Sequence, residues 1–354
     1  MKNIEKYLSL LGDEVDGLLL TSRYSRYYGA EFDIAEGVAI VTKAGCRYFT
    51  DSRYIESAQN SILGFEVLEV NRANPYSKLL NEAIEAFGVT TLGYEEEYLT
   101  VAELNAYEQK LNAKLVPYNE RIHSFRIVKE DWEFALMRKA QEITDQAFSE
   151  VTTRIKPGMT EKQLQAELIY CLYKNGGDGL AFDPIVVSGP NTSLPHGVAG
   201  DRVIQEGDFI TLDFGAMYKG YCADMTRTVA VGYATEEMKK IYETVLAAQK
   251  AGIAATRAGV TGKEIDGAAR QVIADAGYGE YFGHGYGHGL GLEVHEMPSC
   301  SVGGETPMPV HTICSAEPGI YLPGKFGVRI EDVVIFTEDG CEDITKSPKN
   351  LIIV

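Results

Sequence analysis

The chain has 354 residues, 45% hydrophobic and 24% charged, with a formal net charge of -18 at pH 7. That length and composition fit a globular protein of two domains, and the negative field repels phosphate backbones and anionic lipid, so nucleic-acid and membrane-surface binding are excluded while cations are favoured. Six scattered cysteines without a Cys-x-x-Cys pair, no apolar run of membrane length and an N-terminus without a signal-peptide pattern make a cytoplasmic protein with reduced thiols the expectation.

In chain order, short apolar runs alternate with helical stripes. Residues 16–20, 37–42, 46–50, 65–70 and 92–94 read as strands. Pro75 opens a helix with Leu79, Leu80, Ala83, Ile84 and Phe87 on one face, and residues 100–111 read as another. Residues 1–126 are therefore expected to form a small α/β domain. A second domain, 127–354, starts with a long helix carrying Trp132, Leu136, Ala140, Ile143, Ala147 and Val151. Thr160 and Thr261 begin capping boxes, and Thr235 caps a further helix. The order is helix, helix, strands, repeated once, which reads as an internal duplication in an α+β fold.

The chemistry concentrates between Phe282 and Glu296, where five alternating glycines rule out a helix and His284, His288 and His295 fall within fifteen residues. Four carboxylates lie in apolar or glycine-bounded runs, where an unpaired charge is costly. Asp213 and Asp224 are symmetric about a turn at 218–220, and Glu317 and Glu331 about Gly324. Each pair should share a hairpin face, roughly 5–8 Å apart, and repel unless a cation intervenes. Two acid pairs and an imidazole can hold two divalent ions, and that donor set suits Mn, Co, Zn or Fe more than Ca. Asp213-Phe-Gly215 imitates a kinase triplet but lacks the rest of that set.

Residues 212–215, 224–227, 287–296, 316–319 and 328–332 resemble the pita-bread metallopeptidases: methionine aminopeptidase, aminopeptidase P and prolidase. The resemblance implies a pita-bread catalytic domain of duplicated helix-helix-strand halves behind a creatinase-type N-terminal domain. It implies that Asp213, Asp224, His288, Glu317 and Glu331 hold two divalent ions, Mn2+ foremost, and that Glu317 is the general base. His295 and His196 would stabilise the tetrahedral oxygen or carry a proton to the proline nitrogen. His284 would line the proline pocket, and Arg329 would pair with a ligand carboxylate or a substrate carboxylate. Residues 182–185 and 188–197 and the N-terminal domain resemble the X-Pro branch, and 50–54 is similar to a stretch of aminopeptidase P relatives. The expected activity is removal of an N-terminal residue from proline in small peptides, by a homodimer. The alternatives are a strict X-Pro dipeptidase and a non-catalytic binding protein of the same fold. His123 and His311 read as structural.

Overall fold

The computed structural model describes residues 3–354, which form two compact units divided between Phe125 and Arg126. In the first, helices α1 (Asn3–Ser9), α2 (Arg23–Ala30), α3 (Ile55–Ser61), α4 (Tyr76–Phe87), α5 (Val101–Lys110) and α6 (Asn119–Ser124) surround one mixed sheet. Its strands are β1 (Gly17–Leu20), β2 (Val38–Thr42), β3 (Cys46–Asp51), β4 (Glu66–Val70), β5 (Thr91–Tyr94) and β6 (Lys114–Pro117), in the order β4-β3-β2-β1-β5-β6. The five expected strands are all present. The central β1 and β2 are buried along their whole length, which accounts for their unbroken apolar runs. Leu79, Leu80, Ala83 and Ile84 of α4 pack on that sheet with Leu19, Ile40 and Leu92.

The second unit opens with α7 (Asp131–Thr152) and α8 (Glu161–Lys174), followed by β7 (Gly179–Leu180), β8 (Ile185–Ser188), β9 (Phe209–Phe214), β10 (Ala216–Tyr218), β11 (Tyr221–Cys222) and β12 (Met225–Ala230). Helices α9 (Glu236–Ala255) and α10 (Gly262–Asp275) then precede β13 (Gly287–Gly289), β14 (Glu296–Cys300), β15 (Ile313–Ala316), β16 (Gly319–Leu322), β17 (Phe326–Arg329), β18 (Asp332–Phe336), β19 (Cys341–Asp343) and β20 (Ile352–Ile353). Helix pair and strands thus occur twice. The capping boxes of Thr160 and Thr261 form, and Thr235 accepts a hydrogen bond from the Met238 amide.

Each half has its own apolar core. One joins α7 and α8 to β9 and β12, and the other joins α9 and α10 to β15 through β18. The two larger sheets run β20-β12-β9-β8 and β14-β13-β15-β18-β19.

The hairpins that carry the carboxylates are less continuous than the sequence suggests. Only Asp213 lies within a strand. Asp224 sits between β11 and β12, Glu317 between β15 and β16, and Glu331 between β17 and β18. The reason is that the chain changes partner there. The Glu331 amide donates to Thr226 O on β12 at 3.0 Å, and the Glu317 amide donates to Tyr286 O at 2.8 Å. The first bond joins the two halves where Glu331 emerges, and the second ties Glu317 to the glycine-rich loop of its own half.

Candidate metal centre

The first acid pair is placed by a two-residue turn. Tyr218 pairs with Tyr221, and Lys219 and Gly220 both take positive φ, 45° and 77°, the geometry of a tight hairpin turn. The same register sets Thr226 opposite Asp213, so Asp224 is its diagonal neighbour. At the bend, Gly215 faces Ala223 so closely that a Cβ would overlap its carbonyl. In the second pair, Glu317 and Glu331 lie between the matched positions Ala316–Asp332 and Gly319–Arg329, and so face each other. His288 comes from β13, whose pairing with β14 shifts just after it. No side chain fits at Gly287 either, where a Cβ would overlap the Ser315 carbonyl.

All nine residues singled out in the sequence line one cavity of about 790 Å3. At its floor, ligand atoms of Asp224, His288 and Glu331 lie within 4.8 Å of one another. His288 Nε2 is 3.2 Å from Glu317 Oε1 and 3.6 Å from Asp224 Oδ2. The other ring nitrogen, Nδ1, is 3.1 Å from Gly289 O. A carbonyl only accepts, so Nδ1 carries the proton and Nε2 is turned to the carboxylates, the usual second-sphere arrangement of a metal-binding histidine.

The electrostatics show what the acids lack. Burial and the neighbouring Asp213 charge push the Asp224 carboxyl well above the usual carboxylate range. Burial, with Asp224 and Glu317 beside it, does the same to Glu331. Burial also raises Asp213, against the pull of Arg329. For Glu317, burial is outweighed by the hydrogen bond and charge of His288, and its carboxyl is held at about 2. Burial lowers His288, but Glu317 and Asp224 outweigh it and raise the imidazole to about 9. Asp213 Oδ1 and Asp224 Oδ1 are buried without any hydrogen-bond partner. Unpartnered buried carboxylate oxygens beside an imidazole nitrogen turned toward the carboxylates are a donor set suited to a divalent ion, so the residues fit the metal expected of them.

The remaining residues surround this floor. Arg329 pairs with Asp213, one of the carboxylates that the resemblance implies as a ligand. Its Nη2 donates to Asp213 Oδ2 at 2.6 Å, Nη1 to Tyr321 Oη at 2.8 Å and to Pro195 O at 3.3 Å, and Nε to Thr226 Oγ1 at 3.0 Å. Four of its five N–H groups are thereby occupied.

His284 donates from Nδ1 to Gly285 O and accepts at Nε2 from Tyr321, each at 2.8 Å, so it is a neutral wall rather than a free acid. Burial pushes its pKa down, in agreement. His295 and His196 are exposed in the cavity, and neither hydrogen-bonds to the described chain. The His295 ring meets His288 edge-on at 4.3 Å. His123 lies in the other unit, 3.1 Å from the buried Glu95, and His311 packs on Phe134.

Sequence reasoning missed Thr226, Ser315 and Tyr321. Thr226 Oγ1 donates to Glu331 Oε2 at 2.7 Å, and Ser315 Oγ to Glu317 Oε1 at 3.1 Å. Register could have found Thr226, since it is the residue opposite Asp213.

Residues 135–338 match the model of metallopeptidase family M24, and residues 3–128 match the creatinase/prolidase N-terminal domain. The chain belongs to metallopeptidase family M24. An Xaa-Pro dipeptidase of Pyrococcus horikoshii is 36% identical over 346 residues, 96% of this chain and 95% of that one. The solved structure of an Xaa-Pro dipeptidase from Bacillus anthracis is 41% identical with a TM-score of 0.96, covering 100% of this chain and 99% of that one. An X-Pro aminopeptidase from Thermotoga maritima is 38% identical with a TM-score of 0.94, covering 100% of both chains. Among the described residues, no helix is long and apolar enough to cross a membrane.

Proposed function

We propose that this chain is an Xaa-Pro aminopeptidase that hydrolyses the bond between an N-terminal residue and proline. Asp213, Asp224, His288, Glu317 and Glu331 hold two divalent ions, Mn2+ foremost. The protein acts in the cytoplasm as a homodimer. The observation that carries the reading is the convergence of four carboxylates and one imidazole on a single cavity floor with two carboxylate oxygens left unpartnered.

Bound divalent ions supply a water activated near neutral pH and a polarised scissile carbonyl. Glu317, held ionised, accepts the proton of the attacking water. His295 and His196 have free ring nitrogens on the cavity, so they are the groups able to stabilise the tetrahedral oxygen and protonate the leaving proline nitrogen. As the C–N bond breaks, the proline nitrogen leaves as a secondary amine and must gain a proton, which these side chains can deliver. His284, neutral and fixed at both nitrogens, is a flat wall for the pyrrolidine ring. Arg329 fixes Asp213.

An absence among the lining residues favours aminopeptidase over dipeptidase. A lysine or arginine facing the proline carboxylate would favour a dipeptide substrate through a charge-assisted hydrogen bond. Among the described residues, Arg329 is the only lysine or arginine lining the cavity, and Asp213, Tyr321, Thr226 and Pro195 already occupy it. X-Pro tripeptides should therefore be cut at least as well as X-Pro dipeptides in kcat/KM. Cleavage of dipeptides alone would make the enzyme a dipeptidase. Changing proline to alanine at the second position should cost about 1–3 kcal/mol in transition-state binding. Equal cleavage of the two series would end the proline reading.

His295→Ala should lower kcat by about 10²–10⁴-fold while metal content stays intact, as expected of a proton-carrying group rather than a ligand. Loss of metal on the scale of His288→Ala, measured by elemental analysis, would make it a ligand instead.

A further inference from the structure

His295 poses a positioning problem. Its side chain is exposed and makes no hydrogen bond to the described chain, yet its ring must stand at a defined place beside His288. What fixes it is the next residue. Glu296 opens β14 and His295 is the last residue of the bend before it, so the buried Glu296 side chain anchors the backbone from which His295 reaches the cavity. The loop before it closes on that buried carboxylate. The Glu293 amide donates to Glu296 Oε1 at 3.1 Å, the Gly291 amide donates to Glu293 O at 2.9 Å, and a Cβ on Gly291 would crowd both Glu296 oxygens.

The carboxylate is gripped from outside the loop. Arg126 donates to Glu296 Oε1 and, at 2.6 Å, to Glu293 Oε2, while Lys129 Nζ lies 3.1 Å from Glu296 Oε2. Arg126, Lys129 and Glu296 side chains are only 4%, 2% and 4% exposed. Three charges this deeply buried are a poor source of stability, because well-packed apolar residues commonly serve as well or better. Such a cluster is better explained by a defined geometry. We propose that the Arg126–Glu296–Lys129 cluster is a positioning device for His295, acting on the reaction through that imidazole alone. This rests on the catalytic role given to His295 above.

The test is a double-mutant cycle on the metal-loaded enzyme. Glu296→Gln should lower kcat by about 10–100-fold, the usual cost of a misplaced catalytic group, with KM and bound metal little changed. In a His295→Ala background the same change should cost less than about 2-fold, because the group it positions is gone. An equal loss in both backgrounds would show that Glu296 acts elsewhere and would overturn the proposal. Should Glu296→Gln not fold, Lys129→Met removes one contact, leaves Arg126 in place, and should give the same non-additive pattern.

A readout independent of turnover separates this proposal from the reading beneath it. In imidazole nuclear magnetic resonance spectra, Glu296→Gln should shift the His295 ring signals and leave those of His284 in place. An active His295→Ala enzyme would refute the catalytic role of His295. Unmoved His295 signals in Glu296→Gln would refute the positioning.

Discussion

Asp224→Asn should abolish metal-dependent turnover, with kcat/KM falling at least about 10²–10³-fold, and should make the chelator-stripped protein more stable. Both effects have one cause. Asp224 is buried, one of its oxygens has no partner, and burial and Asp213 push its carboxyl well above the ordinary range. A neutral amide of the same shape removes that repulsion along with one of the proposed metal donors. The gain should be about 1–2 kcal/mol, a common scale for relieving an active-site group of strain.

The pH dependence has a definite sign. A carboxyl raised in the folded state favours folding below its unfolded pKa, and that contribution is lost as pH rises through the folded value. The stripped wild type should therefore lose stability as pH rises above the usual carboxylate range, and Asp224→Asn should lose less. Urea unfolding with chelator, repeated with added divalent ion, checks both claims. A variant that is less stable than wild type at neutral pH without metal, or that is still stabilised by metal as strongly as wild type, would contradict the site.

Much of this site was legible because hairpins are arithmetic. Once Lys219–Gly220 and Gly324 are recognised as turns, the placement of Asp213 with Asp224 and of Glu317 with Glu331 follows from strand pairing. The capping boxes at Thr160 and Thr261 gave the starts of α8 and α10 in the same local way. Contacts that depend on where one half meets the other were not legible. Nothing local signals that the strands break at Glu317 and Glu331, because the Glu331 amide pairs across the halves with Thr226 O and the Glu317 amide pairs outside its hairpin with Tyr286 O. Arg126 reads as an ordinary cation in a boundary segment, yet it reaches Glu293 and Glu296 about 170 residues on, and Lys129 reaches Glu296. Helix α3 escaped notice because it buries only Ala58 and so carries no apolar stripe. Helix α2 escaped because its tyrosines and glycine are weak helix formers, and its start rests on the Ser22 cap.

The second large effect is expected at Asp332, one residue beyond Glu331. Its side chain is fully buried and binds Arg227 Nη2 at 2.7 Å, Gln249 Nε2 at 2.7 Å and Lys349. The Arg227 guanidinium, itself only 1% exposed, also donates to the carbonyls of Glu331, Ser347 and Pro348. It thus ties Glu331, one of the proposed metal ligands, to the C-terminal segment. Asp332→Asn would leave this buried guanidinium without its counter-charge, at a cost of about 3–5 kcal/mol at neutral pH.

Burial raises the Asp332 carboxyl, but Arg227 and Lys349 outweigh it and hold it below its usual value. The sign is thus opposite to that of Asp224. The contribution is fully present above the ordinary aspartate pKa, about 3.9, and is lost as pH falls through the lower folded value. The stability gap between wild type and Asp332→Asn should be widest at neutral pH and close progressively in acid. A gap that stays constant between pH 7 and pH 3 would remove the charge from the explanation and leave only packing. Because Arg227 also holds the Glu331 carbonyl, the variant should bind divalent ions about 10–100-fold more weakly, the usual effect of disturbing a residue that supports a ligand. Titration calorimetry with Mn2+ at a temperature where both proteins are folded measures this directly, and unchanged affinity would confine Asp332 to stability.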